Sequence, residues 1–206
     1  MKYKQENSVE LSNDEVNRYA RHISLPEIGI EGQKKLKSSS VLCIGSGGLG
    51  SPLLIYLAAA GVGRIGIVDF DLVESSNLQR QIIHGEQWIG KSKTSSAKSR
   101  ILEINPFCKI DIFETLLTQE NGLKIIEQFD LICDCTDNFT SRYLINDACV
   151  ILNKPNIYGS IAGFQGQATV FNLNPDSPNL RDLLPNPPPE ELIPSCAEGG
   201  VLGVLP

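Results

Sequence analysis

The chain has 206 residues, 41% hydrophobic and 20% charged, which excludes collagen-like, low-complexity and disordered classes and makes one compact domain the default. A net charge of −6 argues against nucleic-acid or membrane-surface binding through bulk attraction, so any phosphate recognition has to be local.

Met1 to Leu11 is polar and mixed in sign, without the apolar core of a secretory signal. No apolar run reaches the roughly 20 residues that a membrane span needs. The expected setting is cytoplasmic, or a plastid stroma if the gene is organellar, with neither a membrane nor a nucleic acid as partner. Cysteines stand at 43, 108, 133, 135, 149 and 196 without a Cys-x-x-Cys pair, so a zinc ribbon and a thioredoxin-like motif cannot be drawn. The first five are expected as buried, reduced thiols.

Ser12-Asn-Asp-Glu15 reads as a capping box opening a helix through Arg18, Tyr19 and Arg21, ended by Pro26 and Gly29. Ser40 to Gly45 is a short apolar strand, followed by a glycine-rich turn and a helix over Leu49 to Ala60. Arg64 to Asp69 is a second strand, Ser92 to Asn105 a helix stopped by Pro106, and Lys109 to Thr115 a third strand. Thr118 to Gln128 is expected as helix, Leu131 to Cys135 as strand, Asn138 to Leu152 as helix, and Asn156 to Ser160 and Gln165 to Leu173 as strands. Asn174 to Pro194, rich in proline and acid, is expected as a long irregular crossing segment. This alternation implies an α/β fold with a doubly wound, mostly parallel sheet.

Gly45-Ser-Gly47-Gly48-Leu-Gly50 satisfies G-x-G-x-x-G after a strand and before a helix, where the backbone can approach a phosphate and the helix dipole stabilises its charge. Asp69, at the end of the second strand, is placed for both ribose hydroxyls, and Asp71 could do likewise. To this point a dinucleotide and ATP fit equally. Arg80 and the stretch from Gly90 to Lys93 add cations that a triphosphate needs and a pyrophosphate on a helix N-terminus does not. Asp134-Cys-Thr-Asp137-Asn138 ends the fourth strand, where open sheets bind ligands. Asp137 suits a water-rich Mg²⁺ site, Asp137-Asn138 equally suits a helix cap, and Asp134 is read as structural.

Taken in order, Arg18-Tyr-Ala-Arg21, the glycine loop, Asp69-Phe-Asp71, Ser76-Asn-Leu-Gln-Arg80, Lys93, Asp134 to Asn138 and Cys196-Ala-Glu-Gly-Gly-Val-Leu-Gly203 resemble the adenylating domain of the ubiquitin-activating superfamily, in its MoeB and ThiF branch and above all the molybdopterin-synthase adenylyltransferases. The resemblance implies one Rossmann-like adenylation domain over 1–206, with an N-terminal helical arm (1–36), a crossover loop (174–198) and the closing C-terminal part missing. It implies ATP-dependent adenylation of the C-terminal glycine carboxylate of a ubiquitin-like sulfur carrier ending in Gly-Gly, in molybdenum cofactor biosynthesis. The ATP site it implies comprises Gly45, Gly47, Gly48, Asp69, Ser76, Asn77, Leu78, Gln79, Arg80, Lys93, Asp137 and Asn138, with Mg²⁺ held near Asp137. Arg21 matches an arginine that reaches the partner's ATP across a homodimer. Cys196 matches a cysteine that in some members bonds covalently to the carrier, and an inert thiol is the competing reading. The first zinc-binding cysteine pair of many relatives is replaced by the stretch Ser177 to Leu183, so zinc is not expected. Three alternatives stay open: a ThiF-like enzyme of thiamine biosynthesis, an NAD-dependent oxidoreductase and a non-catalytic nucleotide-binding module.

Overall fold

A computed structural model describes residues 9–188 and 200–206. The capping box is formed: Ser12 and Glu15 bond each other's backbone amides and open α1 (Asn13–Arg18). The expected single helix breaks at Tyr19 into α1 and α2 (Ala20–Ile23). Gly29, at φ 57°, begins a helix absent from the sequence reading, α3 (Gly29–Ser38). That helix lacked a readable apolar stripe because its one buried residue is polar: Gln33, whose amide donates to the Ala60 carbonyl at 2.8 Å. Tyr19 is likewise tied to the domain, its hydroxyl accepting from buried Asn105 at 2.7 Å.

The strands β1 (Ser40–Ile44), β2 (Arg64–Val68), β3 (Lys109–Phe113), β4 (Leu131–Asp134), β5 (Asn156–Ala162) and β6 (Gln165–Phe171) form one sheet in the order β3-β2-β1-β4-β5-β6. All neighbours pair in parallel except β5 and β6, an antiparallel hairpin closed through Gly163 and Phe164. Between them run α4 (Gly50–Ala60), α5 (Lys93–Ile104), α6 (Gly122–Ile126) and α7 (Phe139–Leu152). The expected helix over 118–128 shortens to α6 because the Asn121 side chain accepts from the Thr118 amide at 2.8 Å, closing a turn first. Within the expected irregular stretch, Asn179 and Asp182 cap a short helix, α8 (Leu180–Leu183).

Two apolar layers follow from strand alternation. Val41 and Cys43 of β1 join Leu54, Ala58, Ala97 and Ile101 on the face covered by α4 and α5, whereas Leu42 and Ile44 join Ile126, Ile145 and Ala148 on the face covered by α6 and α7. The central strands β1, β2 and β4 are thus covered on both faces, and their carboxyl ends carry the site.

Candidate active site

Strand order reverses between β1 and β4, and a cleft opens beyond their carboxyl ends. Gly45, Gly47, Gly48, Asp69, Asp71, Arg80, Lys93, Asp137 and Asn138 all line it. Gly45 sits at φ 93°, and a Cβ there would lie 2.8 Å from the Cys135 carbonyl oxygen. At Gly50 a Cβ would lie 2.1 Å from the Gly45 carbonyl oxygen, so the loop can fold back onto its own start only without side chains. This turn brings Gly47, Gly48 and Leu49, the residues just before α4, to the cleft wall, where a helix N-terminus favours an anion.

Asp69 is already heavily engaged. Its Oδ2 accepts from the Ser46 amide and hydroxyl, both at 2.8 Å, and its Oδ1 from the Asp71 amide at 3.0 Å. Three of about four acceptor positions are thereby used, which leaves room for one ribose hydroxyl rather than the two expected. Asp71 takes a different part from the one expected of it. Its carboxylate holds the Lys93 ammonium at 2.8 Å, and isolated bridges from Leu72 to Ser92 and from Val73 to Ile89 pin the two segments together. Lys93, only 8% exposed at its side chain, is thus a fixed cation on the cleft wall. Glu114 supports it from behind by accepting the hydroxyls of Ser92, Thr94 and Ser95 at the start of α5, bonds that lower its carboxyl pKa.

The Ser76–Arg80 motif divides. Arg80 lines the cleft, bonds the Ser76 carbonyl at 3.2 Å and lies against Gly48. Asn77 is buried and caps its own turn by accepting from the Glu74 amide at 3.1 Å, while Gln79 packs against Gly203. Ser76, Asn77, Leu78 and Gln79 lie outside the cleft lining, and so does Arg21, exposed on α2. Asn138 caps α7 through the Ser141 amide at 2.8 Å, and Asp137 stands exposed at the cleft rim. Asp134 is structural as expected: its Oδ1 accepts from the Thr136 amide and hydroxyl, and burial pushes its carboxyl pKa up. Cys196 lies outside the described residues.

Three buried residues that the sequence reading did not place complete the site. Arg142 donates to the Thr136 carbonyl at 2.8 Å and to the Tyr158 hydroxyl, clamping the loop that carries Asp137. Gln81 lies beside Gly47 on the cleft wall, its carbonyl oxygen buried and unpaired among the described residues. His84 bonds the Ser46 carbonyl through Nε2 at 3.1 Å and Ser96 through Nδ1 at 2.9 Å. The carbonyl can only accept, so Nε2 carries the proton and Nδ1 accepts from the Ser96 hydroxyl. Burial holds the His84 pKa down at about 4, so the ring is neutral at pH 7. A base whose folded pKa lies below its unfolded value contributes stability above about pH 6.5, lost as pH falls toward 4. Urea unfolding at pH 7 and pH 4.5 is expected to show His84→Gln losing less stability than wild type between the two, and equal losses would contradict it.

The family model described as the ThiF family matches residues 19–206. The chain belongs to the ThiF family. It is 54% identical over 200 residues to a probable adenylyltransferase/sulfurtransferase, MoeZ, of Mycobacterium tuberculosis, covering 95% of this chain and 50% of that one. It is 52% identical over 199 residues to a probable molybdopterin-synthase adenylyltransferase of Porphyra purpurea, covering 95% and 51%. The ThiF-family chain therefore spans about half the length of the curated relatives it matches. Among solved structures, the Escherichia coli MccB crystal structure with ATP superposes with a TM-score of 0.64 at 28% identity, covering 71% of this chain and 46% of that one.

Proposed function

We propose that this ThiF-family chain is an adenylation domain that activates the C-terminal glycine carboxylate of a ubiquitin-like sulfur carrier with ATP, in molybdenum cofactor biosynthesis. The observation that carries this reading is the convergence of two cations, Arg80 and Lys93, on the cleft that also holds the glycine loop and Asp69. A dinucleotide pyrophosphate seated on α4 leaves that pair without work, whereas a triphosphate under attack requires it. Names of relatives such as the Porphyra adenylyltransferase agree with the reading.

In this account the carrier's carboxylate attacks the α-phosphorus of ATP, an acyl-phosphate bond forms, and the bond to pyrophosphate breaks. The amides of the glycine loop bind phosphate oxygens. Asp69 holds the ribose. Arg80 and Lys93 neutralise charge that shifts onto the departing pyrophosphate, and the Asp71 tether keeps the Lys93 ammonium in place without reorganisation. Mg²⁺, when bound with ATP, supplies Lewis-acid neutralisation of the phosphates. The donor set fits such an ion: Asp137 is an exposed carboxylate at the cleft rim, as expected for a metal that keeps most of its ligands as water. Arg21, exposed on α2, is assigned to the partner's nucleotide in a homodimer, and Cys196 to contact with the carrier.

The test is calorimetric titration of the reduced protein with Mg·ATP and, separately, with NADH. Saturable ATP binding with no NADH binding is expected, and the reverse would overturn the proposal. Asp137→Asn is expected to raise the Mg²⁺ needed for half-maximal adenylation by about tenfold or more at unchanged melting temperature, since Asn keeps the local polarity. An unaltered Mg²⁺ titration would remove Asp137 from the metal site.

A further inference from the structure

One thiol that lines the cleft and one buried beneath it are not used by the proposed reaction. Cys43 lies near the carboxyl end of β1 and Cys135 directly follows the end of the neighbouring β4, and both pack into the same apolar layer. The Cys43 thiol, fully buried, has the Gly45 carbonyl at 3.3 Å and Cys135 Sγ at 3.7 Å within reach of its single S–H. Cys135 is half-buried and lines the cleft itself. Its carbonyl oxygen is also the atom that forbids a Cβ at Gly45. Gly45, the first residue of the glycine loop, thus meets the Cys43 sulfur at its carbonyl and the Cys135 backbone at its Cα.

We infer that Cys43 and Cys135 form an oxidisable pair whose disulfide closes the nucleotide site. The oxidant class is a peroxide. The Cys135 sulfur, reachable from the cleft, attacks a peroxide oxygen, the O–O bond breaks, and the sulfenic acid forms with hydroxide, which the released thiol proton converts to water. The Cys43 sulfur then attacks the sulfenic sulfur, the S–O bond breaks and its proton leaves with the second water. In sum, two thiols and one hydrogen peroxide give one disulfide and two waters. Cys43 is fully buried and Cys135 lines the cleft, so Cys135 meets the peroxide first. Bond formation draws the sulfurs from 3.7 Å to about 2.05 Å. The Cys43 hydrogen bond to the Gly45 carbonyl is lost, and the segment from Cys135 to Asp137 is pulled against the loop. A dithiol reverses the change.

The cross-link is independent of what the cleft binds. Its consequence for ATP rests on the proposed function. The experiment treats the chain with hydrogen peroxide, with and without Mg·ATP, then alkylates free thiols and maps peptides by mass spectrometry, with Mg·ATP affinity measured before and after. A Cys43–Cys135 peptide pair lighter by two hydrogens is expected, formed more slowly under ATP and absent from Cys43→Ser and Cys135→Ser. ATP binding is expected to weaken by about tenfold or more on oxidation and to recover with dithiothreitol, while the ATP affinity of Cys43→Ser is expected to be the same before and after peroxide. A Cys135 sulfinic acid without cross-link, or a cross-link through Cys133, would overturn the pairing. Equal ATP affinity of oxidised and reduced protein would overturn the closure. Failure of the reduced protein to bind ATP would instead indict the proposed function, and the peptide map would still decide the pairing.

Discussion

Arg80→Ala is expected to slow carrier-dependent adenylation by about 10²–10³-fold, equivalent to roughly 3–4 kcal/mol of transition-state stabilisation. The side chain lines the cleft against Gly48, and its recorded hydrogen bond is to the Ser76 carbonyl at 3.2 Å in a partly exposed turn. Little folding energy depends on it, so the stability should change by no more than an ordinary surface substitution does, about 0.5 kcal/mol. The loss should appear in kcat more than in ATP affinity, because charge shifts onto the leaving pyrophosphate as the bond breaks. Lys93 offers an internal comparison: it is tethered to Asp71, so its removal also strands a carboxylate. An Arg80→Ala enzyme with wild-type kcat would place the electrostatic work elsewhere.

The second large effect is on stability. Arg142 is 4% exposed and serves the Thr136 carbonyl, the Tyr158 hydroxyl and the Tyr158 ring, 4.7 Å from its guanidinium carbon. Arg142→Ala leaves buried polar groups unmatched and removes the cation whose field lowers the Asp134 pKa. A loss of about 3 kcal/mol is expected, or roughly 6–12 °C in melting temperature for a domain of this size. Arg142→Lys should recover only part of it, because a single ammonium cannot reproduce the forked geometry. Calorimetric melting checks both, and an unchanged transition in Arg142→Ala would refute the clamp.

Much of this architecture was legible because two periodicities are strong in the chain. The short apolar runs at β1, β2 and β4, each followed by turn residues and a helix, fixed the parallel sheet, and the glycine spacing fixed where a phosphate could sit. The expectations that failed share one physical reason. The α3 helix is held by polar contacts of Gln33, α6 is shortened by one Asn121 side chain, and α8 is started by a capping pair, none of which leaves an apolar period. At the site, residue types were readable but their partners were not. That Asp71 would anchor Lys93 across 22 residues, or that His84 would reach back 38 residues to Ser46, follows from chain folding and not from local pattern. Arg142 stood in a helix with no sign of its burial, and Asn77 read as a ligand although it caps its own turn.

Adenylation of a carrier is read out by ATP–pyrophosphate exchange with Mg²⁺, measured with and without a ubiquitin-like carrier ending in Gly-Gly. Exchange is expected to require the carrier and to vanish when the carrier's terminal glycine is removed. Exchange indifferent to the carrier, or none while ATP binds and carrier is present, would contradict it.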